Sequence, residues 1–438
     1  MRTNKLQAAC VMALVLGGGL LTPAKSAAEN AAARKPGNRL QSPGCSADKG
    51  AGRPHYDALF KIHAPTFAEQ IIARIRKGMD KELSGKKFGE GGEEFAIRKA
   101  IVQNIGNSII PAVRQADDVS LGWKLDRKTG RTYLDLTVEA LPGTPLAERF
   151  AQTARLKTNF AGFKTPAAAL SANWVGQASV EEAAAAAKVV QMVRDRAMRL
   201  AKQPGLTSDA LKTRRDLVGR LFDVAAVTAA GGRSDGAVSL VVRPDRVTLI
   251  AGAYVADGRK LQSVVKPVLQ YLSGRHEALA NLKLNAATCQ GVSLHTLSIP
   301  APTNTDRDKF IRMFGKSMEI VLGFGPQAAY LAVGKDAMES LKRAIGKSSK
   351  PAAPAHPFEI SLAMKPIADF IAATGKLHER IPAGFASAAL SKAPGKDHVR
   401  LLVKPSARGM TLRLEAERGV LEVIGAISPK AKRFLLRQ

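Results

Sequence analysis

Residues 133–151, YLDLTVEALPGTPLAERFA, change period in the middle. Leu134, Leu136, Val138 and Ala140 alternate with Tyr133, Asp135, Thr137 and Glu139, as a half-buried strand does, which predicts that the four even positions face inward. Thr144 then offers an N-cap oxygen and Pro145 suits the first helical position. Leu146, Phe150 and Ala154 follow at helical spacing. Upstream, VSLGWKL alternates too, and DRKTG between the two runs has turn chemistry. The pattern predicts a hairpin followed by a helix.

That unit recurs. AVSLVV and VTLIAGAYVA flank RPDR, and a helical stripe from Leu261 to Leu269 follows, with Pro267 expected to kink or delay it. MEIVLGF and AAYLAV flank GPQ and lead into KDAMESLKRAIG, where Asp336 is placed to cap and Gly346 to terminate. HVRLLV, PSARG and MTLRLEAE are followed by GVLEVIGAI. Between the first and second copies lie two long helices; the first opens with a capping box from Ser179 to Glu182, and the second ends at Gly231-Gly232. Two more helical stretches, 65–83 and 93–110, precede the first copy.

Locally joined strand pairs make antiparallel sheet, and a sheet with one apolar face needs helices over it. The predicted class is therefore α+β: antiparallel sheets built from hairpin-plus-helix units, each sheet covered on one face by helices. Two similar halves, 55–232 and 233–438, are expected. If the copies pair with one another, one large curved sheet replaces two small ones.

The N-terminus changes the compartment rather than the fold. Arg2 and Lys5, an apolar run from Leu6 to Leu21, and Ser26-Ala27-Ala28 have the form of a secretory signal, so 1–28 is assigned as a signal peptide and the mature protein is expected to be exported, periplasmic or extracellular. No later stretch is apolar enough to span a bilayer, so no transmembrane segment is expected in the mature chain. Residues 29–54 are rich in Gly, Pro and Ser and read as a disordered arm. Removing 1–28 takes away Arg2, Lys5 and Lys25 and no acid, so the formal charge passes from +29 to +26. Such an excess attracts an anionic envelope polymer or a lipid headgroup, or serves solubility alone. Nucleic acid is disfavoured, because aromatics are only 5% and base-stacking platforms are short of material. The mature chain retains Cys45 and Cys289, which can form one disulfide or stay free.

Along much of its length, through TNFAGF at 158–163, SLHTLSIP at 293–300 and the run 314–345, the chain resembles exported bacterial proteins of unknown function. The resemblance implies no activity, cofactor or site residue.

Motifs for chemistry fail on their own terms. Gly323-Phe-Gly325-Pro-Gln-Ala328 has the letters of a dinucleotide fingerprint, but the strand-like AAYLAVG follows it where a helix is needed, so it reads as a hairpin turn. FGKS and IGKSS lack the first P-loop glycine, having Phe310 and Leu341 there. HEALA and HERIP lack the second zinc histidine, with Ala280 and Pro382 in its place. His55, His63, His295, His356 and His398 are scattered and read as surface or satisfied core residues. No G-x-S-x-G elbow occurs.

No cofactor and no catalytic or metal residue is assigned, and the chain leans away from an enzyme. The leading reading is an exported, non-enzymatic binding or structural protein of the envelope whose basic surface meets an anionic partner. The alternative is a carrier of an apolar or lipid ligand between sheet and helices; a hydrolase with an unrecognised site is third. A carrier should leave apolar side chains on a concave face without core partners. A charge-driven binder should gather its Lys and Arg on one face.

Overall fold

A computed structural model describes residues 56–200, 208–273, 281–303, 307–349 and 356–427. The assigned signal peptide, the N-terminal arm and Cys45 lie outside the described residues.

The chain enters as strand β1 (Ala58–His63) and helices α1 (Ala68–Leu83) and α2 (Gly92–Arg114). The first hairpin-plus-helix unit is β2 (Ala116–Asp126), β3 (Arg131–Ala140) and α3 (Pro145–Thr153). Thr144 caps α3 as its position predicted, its Oγ1 accepting from the Ala147 N–H at 3.4 Å. Strand β4 (Leu170–Gln177) leads to the two long helices α4 (Val180–Leu200) and α5 (Ser208–Ala230). The second unit follows as β5 (Arg233–Arg243), β6 (Arg246–Tyr254) and α6 (Gly258–Ser273), and Pro267 sits inside α6 without ending it.

Next comes a unit that the alternation did not disclose: β7 (Leu282–Cys289), β8 (Val292–Pro300) and α7 (Arg307–Phe314). A register shift between Lys283 and Ala287, with Asn285 at φ 51°, breaks the period of β7 that would have announced it. The remaining units are β9 (Ser317–Gly325), β10 (Ala328–Gly334) and α8 (Ala337–Ser348), then β12 (His398–Pro405), β13 (Gly409–Ala416) and α11 (Arg418–Ile427). Between them stand β11 (Phe358–Ala363), α9 (Met364–Thr374) and α10 (Leu377–Leu390). Two local expectations in α8 fail. Asp336 is left-handed and makes no cap; the Met338 N–H is met instead by Glu319 Oε2 at 3.0 Å, and the helix passes Gly346.

Every strand among the described residues joins one open antiparallel sheet of 13, in the order β1-β2-β3-β13-β12-β11-β4-β5-β6-β10-β9-β8-β7. The protein is thus α+β as predicted, and of the two arrangements the units allow it adopts the single large sheet. Strands distant in sequence meet where β3 pairs with β13, where β4 pairs with both β11 and β5, and where β6 pairs with β10.

Cross-strand register carries each face across the whole sheet. One lateral row reads Trp123, Leu134, Leu414, Leu401, Ile360, Ala172, Val238, Ala251, Leu331, Leu322, His295. Its neighbour on the opposite face reads Gly122, Asp135, Arg413, Leu402, Glu359, Asn173, Ala237, Gly252, Tyr330, Gly323, Leu294. We call these the leucine face and the aspartate face.

Over β5, β6 and β8–β10 both faces are packed. On the aspartate face, Phe160, Phe163, Ala237, Leu294 and Val321 form a core with Leu341 and Ile345 of α8. Phe163 stacks on Tyr330 with centroids 5.9 Å apart. On the leucine face, Phe324 and Ala329 pack with Val224 of α5 and Leu261 of α6. Of the two readings for the scattered histidines, surface or satisfied core, His295 takes the second: Nδ1 accepts from the Asn285 N–H at 2.9 Å, Nε2 lies 3.1 Å from the Gln262 amide, and burial lowers its pKa.

Glu182 at the start of α4 ties the helices together. It completes the Ser179 capping box, pairs with Arg149 of α3 at 2.7 Å and accepts from Ser108 of α2 at 3.0 Å. Burial works to raise its pKa, but the bonds from Arg149, Ser179 and Ser108 prevail and hold it below the ordinary glutamate value of 4.5. A carboxylate depressed in this way contributes stability above its unfolded pKa and loses it as pH falls through the folded one. Glu182→Gln should therefore unfold at lower urea than the parent at pH 7, and the gap should narrow as the pH drops below 4.5 in paired urea titrations.

Candidate functional site

Alternation along a strand says that there are two faces without saying which is wet. At the β1–β2–β3–β13 end of the sheet the answer runs against hydrophobicity. Asp135 is 1% exposed, whereas Leu134 and Leu136 beside it are 39% and 40% exposed. The expectation that 134, 136, 138 and 140 all point into a core is thus corrected: Ala140 is buried and Val138 packs with it against Phe150 of α3, but the two leucines look out. The physical reason is the partner across the β3–β13 seam. Arg413 Nε and Nη2 donate to the two Asp135 oxygens at 2.7 and 2.6 Å, and the Tyr56 hydroxyl adds a third bond at 2.8 Å.

Around that pair the aspartate face stays polar. The Arg413 guanidinium lies 3.8 Å from the Tyr133 ring centroid, and Thr137 and Thr411 share a hydrogen bond at 2.9 Å. Lys164 holds the buried Glu359 carboxylate at 2.6 Å. Tyr56 lies against Gly122, where a Cβ would strike its ring. Burial, reinforced by Asp135, keeps the Tyr56 phenol protonated well above its ordinary range, so it serves as a hydrogen-bond donor.

Beyond the part of β3 and β13 that α3 covers at Val138, Ala140 and Met410, the leucine face of the same strands is apolar and bare. Phe60, Leu121, Leu136 and Leu412 form one row, flanked by Trp123, Leu134 and Leu414 in the next, and all of them are exposed. Further along the sheet the second row is core, with Ala251 and Leu331 buried. A shallow depression of about 230 Å³ is lined by Ala58, Leu59, Phe60, Leu121, Trp123 and Leu134. Pockets that engulf a small molecule are larger, about 300–1,000 Å³, so a ligand here would lie along the strands rather than inside the protein. Isolated exposed leucines are ordinary; a contiguous apolar face over four adjacent strands marks an interaction surface.

At one end of this face the β2–β3 turn carries Arg127 and Lys128, both exposed and without an ion-pair partner among the described residues. Arg418, at the start of α11, packs against Gly130 of the same turn. The Trp123 indole is held on the face by its N–H, which donates to Thr132 Oγ1 at 3.0 Å.

Of the residues singled out beforehand, Cys289 is partly buried, its Sγ 3.8 Å from the Lys342 carbonyl oxygen. Residues 323–328 span the hairpin between β9 and β10, with Pro326 and Gln327 at its turn, as read from the sequence. None of the bare-face residues was marked as functional in advance. Their signal, strict apolar alternation, is the same one that a core strand shows.

Comparison with known proteins finds no family model, no curated protein and no solved structure that matches this chain. Among the described residues no helix is long and apolar enough to cross a membrane.

Proposed function

We propose that this is an exported, non-enzymatic binding protein that holds a single anionic lipid. The acyl body lies on the bare leucine face of β1, β2, β3 and β13, and the acidic head is turned toward Arg127, Lys128 and Arg418. The observation that carries the reading is the inversion at this end of the sheet, where the Asp135–Arg413 pair, its carboxylate buried, backs two exposed rows, Leu136 with Leu412 and Leu134 with Leu414. Apolar area left in water costs roughly 25 cal/mol per Å², which an acyl chain covering the face would recover. The net charge of the exported chain, +29 less the three cations of residues 1–28, and the free cations of the β2–β3 turn favour an acidic head over a neutral one.

Trp123, one of two tryptophans in the chain, reports on the site. Oleate added below its micellar concentration should shift the emission of the full chain to the blue in a saturable way. Leu136→Asp should weaken that binding by about tenfold or more, the worth of one buried leucine, and change stability by only about 1 kcal/mol or less. Equal oleate affinity in the parent and Leu136→Asp would reject the reading. A response to phosphatidylglycerol vesicles with none to oleate would replace it with attachment to a membrane surface. In Arg127→Glu/Lys128→Glu, oleate should bind more weakly and lose most of its dependence on salt.

A further inference from the structure

Where β12 begins and β13 ends, Asp397, His398 and Glu417 bring three ligand atoms together. We propose that they form a binding site for a single divalent transition ion with the tetrahedral preference of Zn2+, taking Asp397 Oδ1, His398 Nδ1 and Glu417 Oε2 as ligands and a solvent molecule as the fourth.

Spacing is the first support. His398 Nδ1 lies 3.3 Å from Asp397 Oδ1 and 3.3 Å from Glu417 Oε2. A tetrahedral ion with bonds of about 2.0–2.1 Å separates its ligand atoms by about 3.3–3.4 Å. A single imidazole proton serving one carboxylate would draw that oxygen to about 2.9 Å. Here two carboxylates stand at equal, longer range.

Burial and outer contacts are the second. Glu417 is 2% exposed and Asp397 is buried, while the His398 side chain is 23% exposed, leaving one direction open to solvent. Each carboxylate has its other oxygen held. Asp397 Oδ2 accepts from the Lys365 N–H at 2.8 Å, and Glu417 Oε1 faces Arg131 and Arg400 at 3.4 and 3.5 Å. The His398 N–H also donates to Glu417 Oε2 at 3.0 Å. Such outer partners orient metal ligands.

A third observation is independent of the triad. Glu415, two residues before Glu417 on the same face, has its Oε1 buried without a hydrogen bond, the nearest guanidinium nitrogens being 3.6 and 3.8 Å away. The two arginines that face Glu417 are thus shared with a second buried acid, so the triad lies beside further buried negative charge, while the unbonded Glu415 oxygen faces the arginines rather than the triad. The other convergent group, His63 with Asp117 and Asp118, lacks these features. Its histidine side chain is 60% exposed, its contacts are 3.6 Å, and Lys61 already occupies Asp118 at 2.7 Å.

The full chain, stripped with a chelator and dialysed into a non-coordinating buffer, should take up one equivalent of Zn2+ by calorimetry. Its thermal midpoint should rise with Zn2+ concentration. Co2+ in place of Zn2+ should give the visible absorption of a four-coordinate site. His398→Ala and Glu417→Gln should lose the saturable equivalent and the Co2+ spectrum, and His63→Ala should keep both. If Glu417→Gln does not fold, His398→Gln, altered at the partly exposed ligand, decides by the same readouts. Absence of saturable Zn2+ uptake, uptake unchanged in the His398 variants, or uptake lost in His63→Ala would overturn the assignment and leave an ion triad that joins two strand ends.

Discussion

Asp135→Ala should lower the unfolding free energy by about 3–5 kcal/mol, the cost of stripping one partner from a buried ion pair. Arg413 has a side chain only 14% exposed, and its bond to Asp135 holds its pKa above the ordinary arginine value. Without the carboxylate, that guanidinium stays charged and loses both of its short bonds, while the Tyr56 hydroxyl loses its acceptor. The pair, whose members stand 278 positions apart, also joins β3 to β13, so the damage falls on the seam that attaches this end of the sheet. Urea titration followed by circular dichroism measures the loss. Asp135→Leu/Arg413→Met, which replaces the pair with apolar bulk, should recover most of it. The neighbouring change Leu136→Asp should be nearly silent in the same assay. A reversed ranking of Asp135→Ala and Leu136→Asp would show that the leucines, and not the aspartate, face the interior.

Phe163→Ala should cost a similar amount, about 3–5 kcal/mol, for a different reason. Phe163 is completely buried on the aspartate face, stacked on Tyr330 and edge-on to Phe160, and its carbonyl accepts a short hydrogen bond from the buried Ser239 hydroxyl. The short turn that carries it is clamped to α8: the Gly162 N–H donates to Ser348 Oγ at 3.0 Å, and a Cβ at Gly162 would collide with the Ala344 carbonyl oxygen. A turn held by backbone contacts cannot move in to fill the space, so the cavity remains and its full cost is felt. Thermal unfolding of Phe163→Ala and Phe163→Leu should rank the two by volume removed. A loss below about 1 kcal/mol for the alanine variant would mean that the core on this face is not packed around the ring.

Hairpin-plus-helix units were legible because their signals are local. A change from alternation to helical spacing, a Thr144-Pro145 start and turn sequences such as DRKTG act within a few residues, and four of the five units follow them closely. The unit at 282–314 escaped because the shift in β7 disrupts the period on which recognition depends. Asp336 misled because a capping side chain is useful only where the backbone enters the helix extended, and here it is left-handed. His398 gave no sign as a ligand, since Glu417 comes beside it only when β12 and β13 pair.

What the sequence determined by itself is the set of pieces: antiparallel hairpins, the helices that follow them, and the α+β class. These depend on turn chemistry and on a side-chain period of two or 3.6 residues. Only the tertiary structure decided that the pieces form one sheet, and which way each strand turns its faces. Period two is symmetric between inside and outside, and Leu134 and Asp135 carry the same alternation whichever of them is buried. The choice was made by Arg413 and Tyr56, brought to Asp135 across the sheet; their hydrogen bonds met the cost of burying a carboxylate and left the leucine face of these strands in contact with solvent.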